Sequence, residues 1–387
     1  MKTRVLLPES RPRGAEGGAR TVRDPGRAKA AHLPEADVVR AAAAVLVVVI
    51  HCLPWPAQNQ GLAHSVYPQA GLLARVSVPL FVVLSGLLLA HASRATASAR
   101  QFWGRRLRRT LLPWIPWAVI YFVLTVRFQG MSPLPAQTWG WWAGGAGHLY
   151  FLLLIPQLYL LYWLWPKSAR GATVAMVVAI GVQVGAQLAR VLLPLHGGWG
   201  QILMLDYGFE EAPFWVGYFG IGIALGLRPE WLRSLARGGW VAAALTVPAA
   251  ILLLAGLPGR VAAQWGPWVG GTGAFLRPSL LLLTVVVLGD LWALASHLRK
   301  WAVPGVEWGV RSLSRNSLGL YIIHPAFLLA SGPLLEVAPQ PLSLQEPFPE
   351  SLLPLALLVT SSTALAWAST ALLARWRVTG WAVGLGS

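Results

Sequence analysis

The run Arg40-Ala-Ala-Ala-Ala-Val-Leu-Val-Val-Val-Ile-His51 decides the fold of this chain. Ten apolar residues in a row separate an arginine from a histidine, and residues 38–53 around them carry no other ionisable group except the thiol of Cys52. An apolar helix of this kind approaches the length that is needed to cross the hydrocarbon core of a bilayer. The first helix is therefore predicted to be a membrane span.

Similar apolar runs recur along almost the whole chain of 387 residues. Hydrophobic residues make up 56% of it and charged residues only 12%, which is too little charge to cover soluble domains. We predict an all-α integral membrane protein with about ten transmembrane helices. The predicted spans are residues 38–53, 71–90, 111–128, 148–165, 172–193, 213–227, 239–257, 275–295, 317–335 and 352–373. The sixth span is short, and Gln183, Gln187 and Arg190 interrupt the fifth.

The positive charge of the chain is placed unevenly between the two sides of these spans. The net charge is +17 and the pI is about 11.2. If the N-terminus is cytoplasmic, 26 of the 31 Lys and Arg residues fall on the cytoplasmic side. Both termini are therefore predicted to be cytoplasmic. The charge is then a signal of topology and of contact with lipid, and no nucleic-acid partner is predicted.

The chain is predicted to hold one membrane domain between two flanking segments. Residues 1–36 are rich in Arg, Pro, Gly and Ala and indicate a disordered basic cytoplasmic arm, with a transit peptide as the alternative. Residues 37–376 are the predicted transmembrane domain, and residues 377–387 a short cytoplasmic tail. The single cysteine, Cys52, excludes an internal disulfide. The glycines of the sixth span indicate close helix packing; they are Gly217, Gly220, Gly222 and Gly226.

His51 is the first candidate for chemistry, because ionisable side chains inside a span are costly and are often functional. It follows Arg40 by about three helical turns, which places both side chains on one face roughly 16 Å apart. An imidazole can act as a general base or carry an acyl group transiently. The alternative is an interfacial histidine that only forms hydrogen bonds.

Arginines form the second group of candidates. Arg75 opens the second span and either reaches to the headgroups or stabilises negative charge. The segment before the third span carries a cluster of four arginines: Arg105, Arg106, Arg108 and Arg109. Because arginine binds phosphate oxygens in bidentate fashion, this cluster is a candidate for the phosphates of a cytoplasmic donor. Alternatively, the cluster only sets the orientation of the span and contacts anionic lipid.

Two further histidines and a set of tryptophans complete the candidates. His148 begins the fourth span, and His324 lies in the ninth, where Pro325 makes a packed structural histidine the alternative. Tryptophans of the non-cytoplasmic loops either belong to the interfacial belt or stack on a sugar; they are Trp139, Trp141, Trp142 and Trp199. No metal-binding motif is present, so no metal is predicted.

Five stretches in order along the chain resemble motifs of the acyltransferase 3 family of multispan membrane acyltransferases. Asp37-Val-Val-Arg40 with His51 resembles the first-span motif, and Arg75-Val-Ser-Val-Pro-Leu-Phe-Val-Val-Leu-Ser-Gly86 the second. Residues 102–113 are similar to the basic entry of the third span. The fourth span begins with His148-Leu-Tyr-Phe-Leu, which resembles the family sequence His-Leu-Trp-Phe-Leu. The family's signature in the penultimate span resembles Leu313-Ser-Arg-Asn-Ser-Leu-Gly-Leu-Tyr-Ile-Ile-His324-Pro325.

The resemblance covers about residues 33 to 375 and has two departures from the family pattern. Ala41 stands where the family has a glycine after the first-span arginine, and Tyr150 replaces the usual tryptophan. We also expect none of the extracytoplasmic hydrolase-like domain that some members carry.

The resemblance implies an O-acyltransferase that moves an acyl group, with acetyl expected, from cytoplasmic acyl-CoA to a hydroxyl. The acceptor would be a glycan, a lipid-linked sugar or another envelope or secreted molecule. His51 would be the base or acyl carrier, Arg40 and Arg75 would stabilise negative charge, and the cluster Arg105–Arg109 would bind CoA phosphates. His148 and His324 would transfer protons or orient the acceptor.

The expected location is a cell membrane, with a bacterial inner membrane suggested by composition. The expected partners are acyl-CoA, the acceptor and membrane lipids. The rival function is a transporter or flippase of a glycan or lipid intermediate, in which the same charges line a pathway without covalent chemistry.

Overall fold

A computed structural model describes residues 32–56, 66–92, 99–129, 142, 146–192, 210–255, 277–301, 303–340 and 342–385. Within these ranges the chain forms α-helices and short 3₁₀ turns, and no β-strand is present. The helices are α1 (Pro34–Cys52), α2 (Tyr67–Ala74), α3 (Ser77–Ala92), α4 (Ala99–Gln129), α5 (Tyr150–Leu164), α6 (Ala169–Leu192), α7 (Val216–Leu227), α8 (Pro229–Arg237), α9 (Gly239–Ala255), α10 (Pro278–Trp301), α11 (Pro304–Glu336), α12 (Leu352–Leu373) and α13 (Arg377–Gly380).

Eight helical segments of the described chain are long and apolar enough to cross a membrane. They are α1, α2 with α3, α4, α5 with its preceding turn, α6, α10, α11 and α12. Helices α8 and α9 pass the same test as a pair bent by 77°, and α7 is apolar but has only 12 residues. Each predicted span thus corresponds to a helix, and the prediction of an all-α membrane protein is confirmed.

Helix α1 lies at the centre of the bundle. It packs against α2, α3, α10, α11 and α12. The residues of α1 at these contacts are small or β-branched; Ala43, Ala44 and Val47, for example, are fully buried. Neighbouring helices can therefore approach α1 closely. Arg299 of α10 pairs with Glu35 at the start of α1, at 3.2 Å. We call the end of the bundle where α1 begins the basic end.

Helices α3 and α7 touch through glycines, as the sequence predicted for the sixth span. A Cβ atom added at Gly222 would collide with the carbonyl oxygen of Val83, and one at Gly86 with the carbonyl oxygen of Phe219. Both obstacles are backbone atoms that no side-chain rotation can move. Glycine at these positions therefore sets the distance between the two helices.

The polar residues that interrupt the fifth predicted span have a structural role. Gln183 and Gln187 of α6 are fully buried. The side-chain oxygen of Gln183 accepts hydrogen bonds from the amides of Gly217 and Tyr218, at 2.9 and 3.3 Å. These amides lie in the first turn of α7, where a helix has no carbonyl partner for them. Gln183 therefore caps α7 from a neighbouring helix.

The bounds of the predicted flanking segments stay predictions. Most of the basic arm, residues 1–31, lies outside the described residues, and α1 begins at Pro34. The last described residues fold back onto the bundle, since the indole nitrogen of Trp117 donates to the carbonyl oxygen of Ala382 at 2.9 Å.

The predicted orientation can be tested by cysteine labelling. Cys52 is buried, so the unsubstituted chain is expected to remain unlabelled and serves as the control. Gln345 and Ser234 are exposed, and with both termini in the cytoplasm they lie on opposite sides of the membrane. An impermeant maleimide is expected to label Gln345→Cys in intact cells, and Ser234→Cys only after permeabilisation. Labelling of Ser234→Cys in intact cells would contradict the orientation.

Candidate active site

Three histidines from distant parts of the chain meet inside the helix bundle. His51 lies near the end of α1, His148 on the 3₁₀ turn Gly147–Leu149 before α5, and His324 within α11. The ring centroids are 4.9 Å apart for His51 and His324, 5.9 Å for His148 and His324, and 6.1 Å for His51 and His148. His324 is fully buried, whereas the other two are partly exposed. The three predicted histidines therefore form one cluster.

The hydrogen bonds of His51 and His324 indicate their tautomers. Nδ1 of His51 lies 2.7 Å from the carbonyl oxygen of Val47, and Nδ1 of His324 lies 3.0 Å from that of Leu320. Because a carbonyl only accepts, we assign the proton of each ring to Nδ1. Nε2 of His324 lies 3.1 Å from Nδ1 of His51 and is placed to accept from the same N–H. This leaves the lone pair of His51 on Nε2, with His324 orienting the ring.

Two tyrosines enclose the histidine cluster. Tyr121 of α4 donates a hydrogen bond to the carbonyl oxygen of Ile322 at 2.7 Å, and its ring lies 4.7 Å from that of His148. Nε2 of His148 is 3.3 Å from the same carbonyl oxygen, and Tyr321 donates to the backbone carbonyl of His148. Pro325 has no amide hydrogen, so the carbonyl oxygen of Tyr321, four residues earlier, has no helical donor within α11.

Arg75 connects the cluster to a buried carboxyl group. It lies between α2 and α3, within range for charge interactions with His51 and with Tyr150. Tyr150 interacts in turn with Glu210, which precedes α7. Burial, and then the neighbouring carboxyl of Glu211, raises the pKa of Glu210 to about 8. Arg75 and Tyr150 thus lie electrostatically between the histidine cluster and the carboxyl of Glu210.

The raised pKa of Glu210 predicts a pH-dependent stability. Below the ordinary carboxyl value of 4.5 the folded and unfolded chains both hold the proton. Between pH 4.5 and about 8 only the unfolded chain releases it, so this carboxyl lowers the stability of the folded state as the pH rises. Glu210→Gln is expected to remove this pH dependence. The melting temperature of the variant in detergent, minus that of the wild type, should therefore increase as the pH rises. A difference that stays constant from pH 5 to pH 9 would contradict the prediction.

A second polar group lies at the basic end. Arg40 interacts with Asp37, one helical turn away on α1, and with Tyr159 of α5. The guanidinium of Arg106 lies 4.7 Å from the centre of the Tyr159 ring, in cation–π geometry. Asp37 accepts a hydrogen bond from the hydroxyl of Ser314 on α11, at 2.7 Å. Tyr159 therefore contacts Arg106 and lies within electrostatic range of Arg40.

The remaining predicted residues are placed differently. Arg105, Arg108 and Arg109 are exposed on α4. Trp142 packs along α4, with its ring 5.9 Å from that of Trp114 and 5.8 Å from that of Phe122. Trp139, Trp141 and Trp199 lie outside the described residues.

Three tyrosines of the site, Tyr121, Tyr159 and Tyr321, were not among the candidates predicted from the sequence. Tyr321 could have been found, because it lies three residues before His324 and so shares its helix face. Tyr121 and Tyr159 gave no signal in the sequence, since tyrosines are common in membrane proteins at the ends of spans.

Residues 33–371, nearly the whole chain, match the family model of an acyltransferase domain, acyltransferase 3. The chain belongs to the acyltransferase 3 family. This confirms the predicted family and makes the protein a multi-pass membrane acyltransferase. Comparisons with curated proteins and with solved structures give no match.

In this acyltransferase the pair His51 and His324 places a titratable imidazole, oriented by a second ring, inside the membrane domain. A cation nearby would stabilise the negative charge of the tetrahedral intermediate, and Arg75 is within range. No three His, Cys, Asp or Glu side chains among the described residues are placed to hold a metal ion. The absence of a metal in the reaction stays a prediction.

Proposed function

We propose that this acyltransferase moves an acetyl group from cytoplasmic acetyl-CoA to a hydroxyl of an envelope glycan, a lipid-linked sugar or a secreted molecule. The observation that carries the proposal is the histidine pair. His324 accepts from the Nδ1–H of His51 and so leaves Nε2 of His51 as the basic atom. A base that is oriented by a second group is typical of acyl-transfer sites.

The proposed reaction has two parts that His51 connects. Nε2 of His51 takes the proton of the acceptor hydroxyl while its oxygen attacks the thioester carbon, and Arg75 stabilises the resulting oxyanion. The carbon–sulfur bond then breaks, and the leaving thiolate of CoA takes the proton from Nε2 of His51. The products are the acetyl ester of the acceptor and free CoA. During this cycle His324 stabilises the charged imidazole of His51 through the N–H that points to it.

The basic end is the proposed entrance for the donor. Arg40 lies about 16 Å from His51 along α1, which is too far for it to touch the reacting carbonyl. A long, thin linker such as pantetheine can bridge that distance. Arg40 and Arg106, both near Tyr159, would hold the phosphates of CoA, with Arg105, Arg108 and Arg109 attracting them from solvent. In this arrangement Arg75, and not Arg40, acts at the thioester.

The donor site predicts a change in KM. Replacing Arg106 and Arg109 together with glutamine is expected to raise the KM for acetyl-CoA about tenfold, with kcat little changed, because phosphate contacts hold donor and transition state alike. The matched control is Arg233→Gln with Arg237→Gln on α8, which removes two exposed charges predicted to lie on the same side. Equal KM values for the two double variants would show that the cluster is a topology signal only.

The function itself is tested by the products that cells make. Envelope glycans and secreted molecules from cells with the chain are expected to carry an acetyl mass that mild alkali removes, and that cells without it lack. If the chain is a transporter or flippase, the amount or location of a glycan changes while its mass does not. That outcome would replace the acetyl-transfer proposal.

A further inference from the structure

A groove of about 590 Å³ lies between α11 and α12 at the basic end. Its lining includes four charged side chains, Glu307, Arg311, Arg315 and Arg375, together with Trp308 and Asn316. Arg311 pairs with Glu307 at 2.5 Å, so the lining holds three guanidinium groups and a single carboxylate, which one of them already neutralises. The groove therefore has an excess of positive charge that an anion from outside the chain can balance.

The groove opens towards α12, beside the proposed donor site. Ser314 faces α1, where it binds Asp37, whereas Ser312 accepts a hydrogen bond from the indole of Trp367 on α12, at 2.9 Å. Ser312 and Ser314 are about 200° apart around the helix, so Ser312 faces α12, whereas Glu307 and Arg311 lie at the edge of the groove towards α1 and also line a cleft with Pro34, Asp37 and Val38. At the inner end of the groove Gly319 is pressed against Thr370, where an added Cβ would collide with that side chain. A thioester bound in the groove would therefore not reach His324 along this face.

The surroundings of the groove indicate its depth in the membrane. Trp308 is 65% exposed and Trp376 is 55% exposed, as expected for tryptophans at the headgroup level. Leu365 and Leu372, seven residues apart on α12, are also about half exposed. They share one face of the helix and give an apolar surface that leads from the groove towards the bilayer centre.

We propose that this groove is a binding site for the headgroup of an anionic phospholipid. Arg311, Arg315 and Arg375 hold the phosphate oxygens, and the acyl chains lie against Leu365 and Leu372. Basic pockets between transmembrane helices are suited to such headgroups, and arginine gives them bidentate contacts. A phosphate ester of a soluble donor has the same charged chemistry, but the closed inner end and the apolar surface favour a lipid.

The proposal is tested by native mass spectrometry of the full chain in detergent with added phosphatidylglycerol or phosphatidylcholine. The wild type is expected to retain phosphatidylglycerol in preference to phosphatidylcholine. Replacing Arg315 and Arg375 with glutamine is expected to weaken retention of phosphatidylglycerol by about tenfold, with about a twofold change for Arg233→Gln with Arg237→Gln. Equal retention by the two double variants would overturn the proposal.

Two further experiments use the wild type alone, so they do not depend on folding of the variants, and they identify the ligand in the groove. A photoreactive phosphatidylglycerol is expected to label wild-type peptides from residues 304–316 or 371–375, and labelling confined to other segments would overturn the site. Added CoA or inorganic phosphate is expected to leave the retained lipid in place. Displacement of the lipid by either one at low concentration would assign the groove to a soluble phosphate.

Discussion

Replacing His51 with alanine is expected to lower acyl transfer by about 10² to 10⁴-fold, the usual cost of losing a general base. Alanine has no atom that can take the proton of the acceptor hydroxyl. Insertion and folding should be retained, since removing a polar group from a span eases partitioning into the membrane. The measurement is the initial rate of acyl transfer by purified protein in liposomes, at matched protein levels.

His51→Gln is the matched control for this prediction. Its amide can still donate a hydrogen bond to the carbonyl oxygen of Val47, so it keeps the contact without the basic nitrogen. It is expected to be as inactive as the alanine variant. A Gln variant with activity within a few-fold of the wild type would make His51 structural, and His148 or His324 would become the candidate base.

Replacing Gly222 with valine is expected to prevent α3 and α7 from packing. The added Cβ collides with the carbonyl oxygen of Val83, a backbone atom, so the helices must separate along their whole contact. Overpacking costs about 1 to 3 kcal/mol even where side chains can shift, and a larger loss is expected against the backbone. The measurements are the yield of monodisperse protein in size-exclusion chromatography and its melting temperature.

Gly181→Val and Gly185→Val on α6 are the controls for the same substitution. An added Cβ at either position meets no atom within 4 Å. Both variants are expected to give nearly wild-type yields. If Gly222→Val is as stable as they are, the close contact of α3 and α7 is not needed for the fold.

Hydropathy predicted the membrane fold because it is a local property of the chain. Each apolar run became a helix, and even the short sixth span was visible as a short run that became the 12-residue α7. The role of Gln183 was not predictable in the same way. A polar residue within a span has the same sequence signal whether it breaks the helix or, as here, caps another one.

The candidate site was predictable one residue at a time and not as an arrangement. The spacing of Arg40 and His51 fixed their positions along α1, because both belong to one helix. His51 and His324 are 273 residues apart, and no spacing rule predicts that they meet. The same holds for Tyr159, whose contact with Arg106 and proximity to Arg40 depend on how α1, α4 and α5 pack together.

The central claim is that the chain transfers an acyl group from acyl-CoA to a hydroxyl through His51. The most direct measurement supplies radiolabelled acetyl-CoA to the cytoplasmic face of inverted membrane vesicles that contain the wild type or His51→Gln. The account predicts label in an envelope fraction, released as acetate by mild alkali, with the wild type and not with the variant. Equal alkali-labile label in both preparations, or none in either when the acceptor fraction is present, would contradict it.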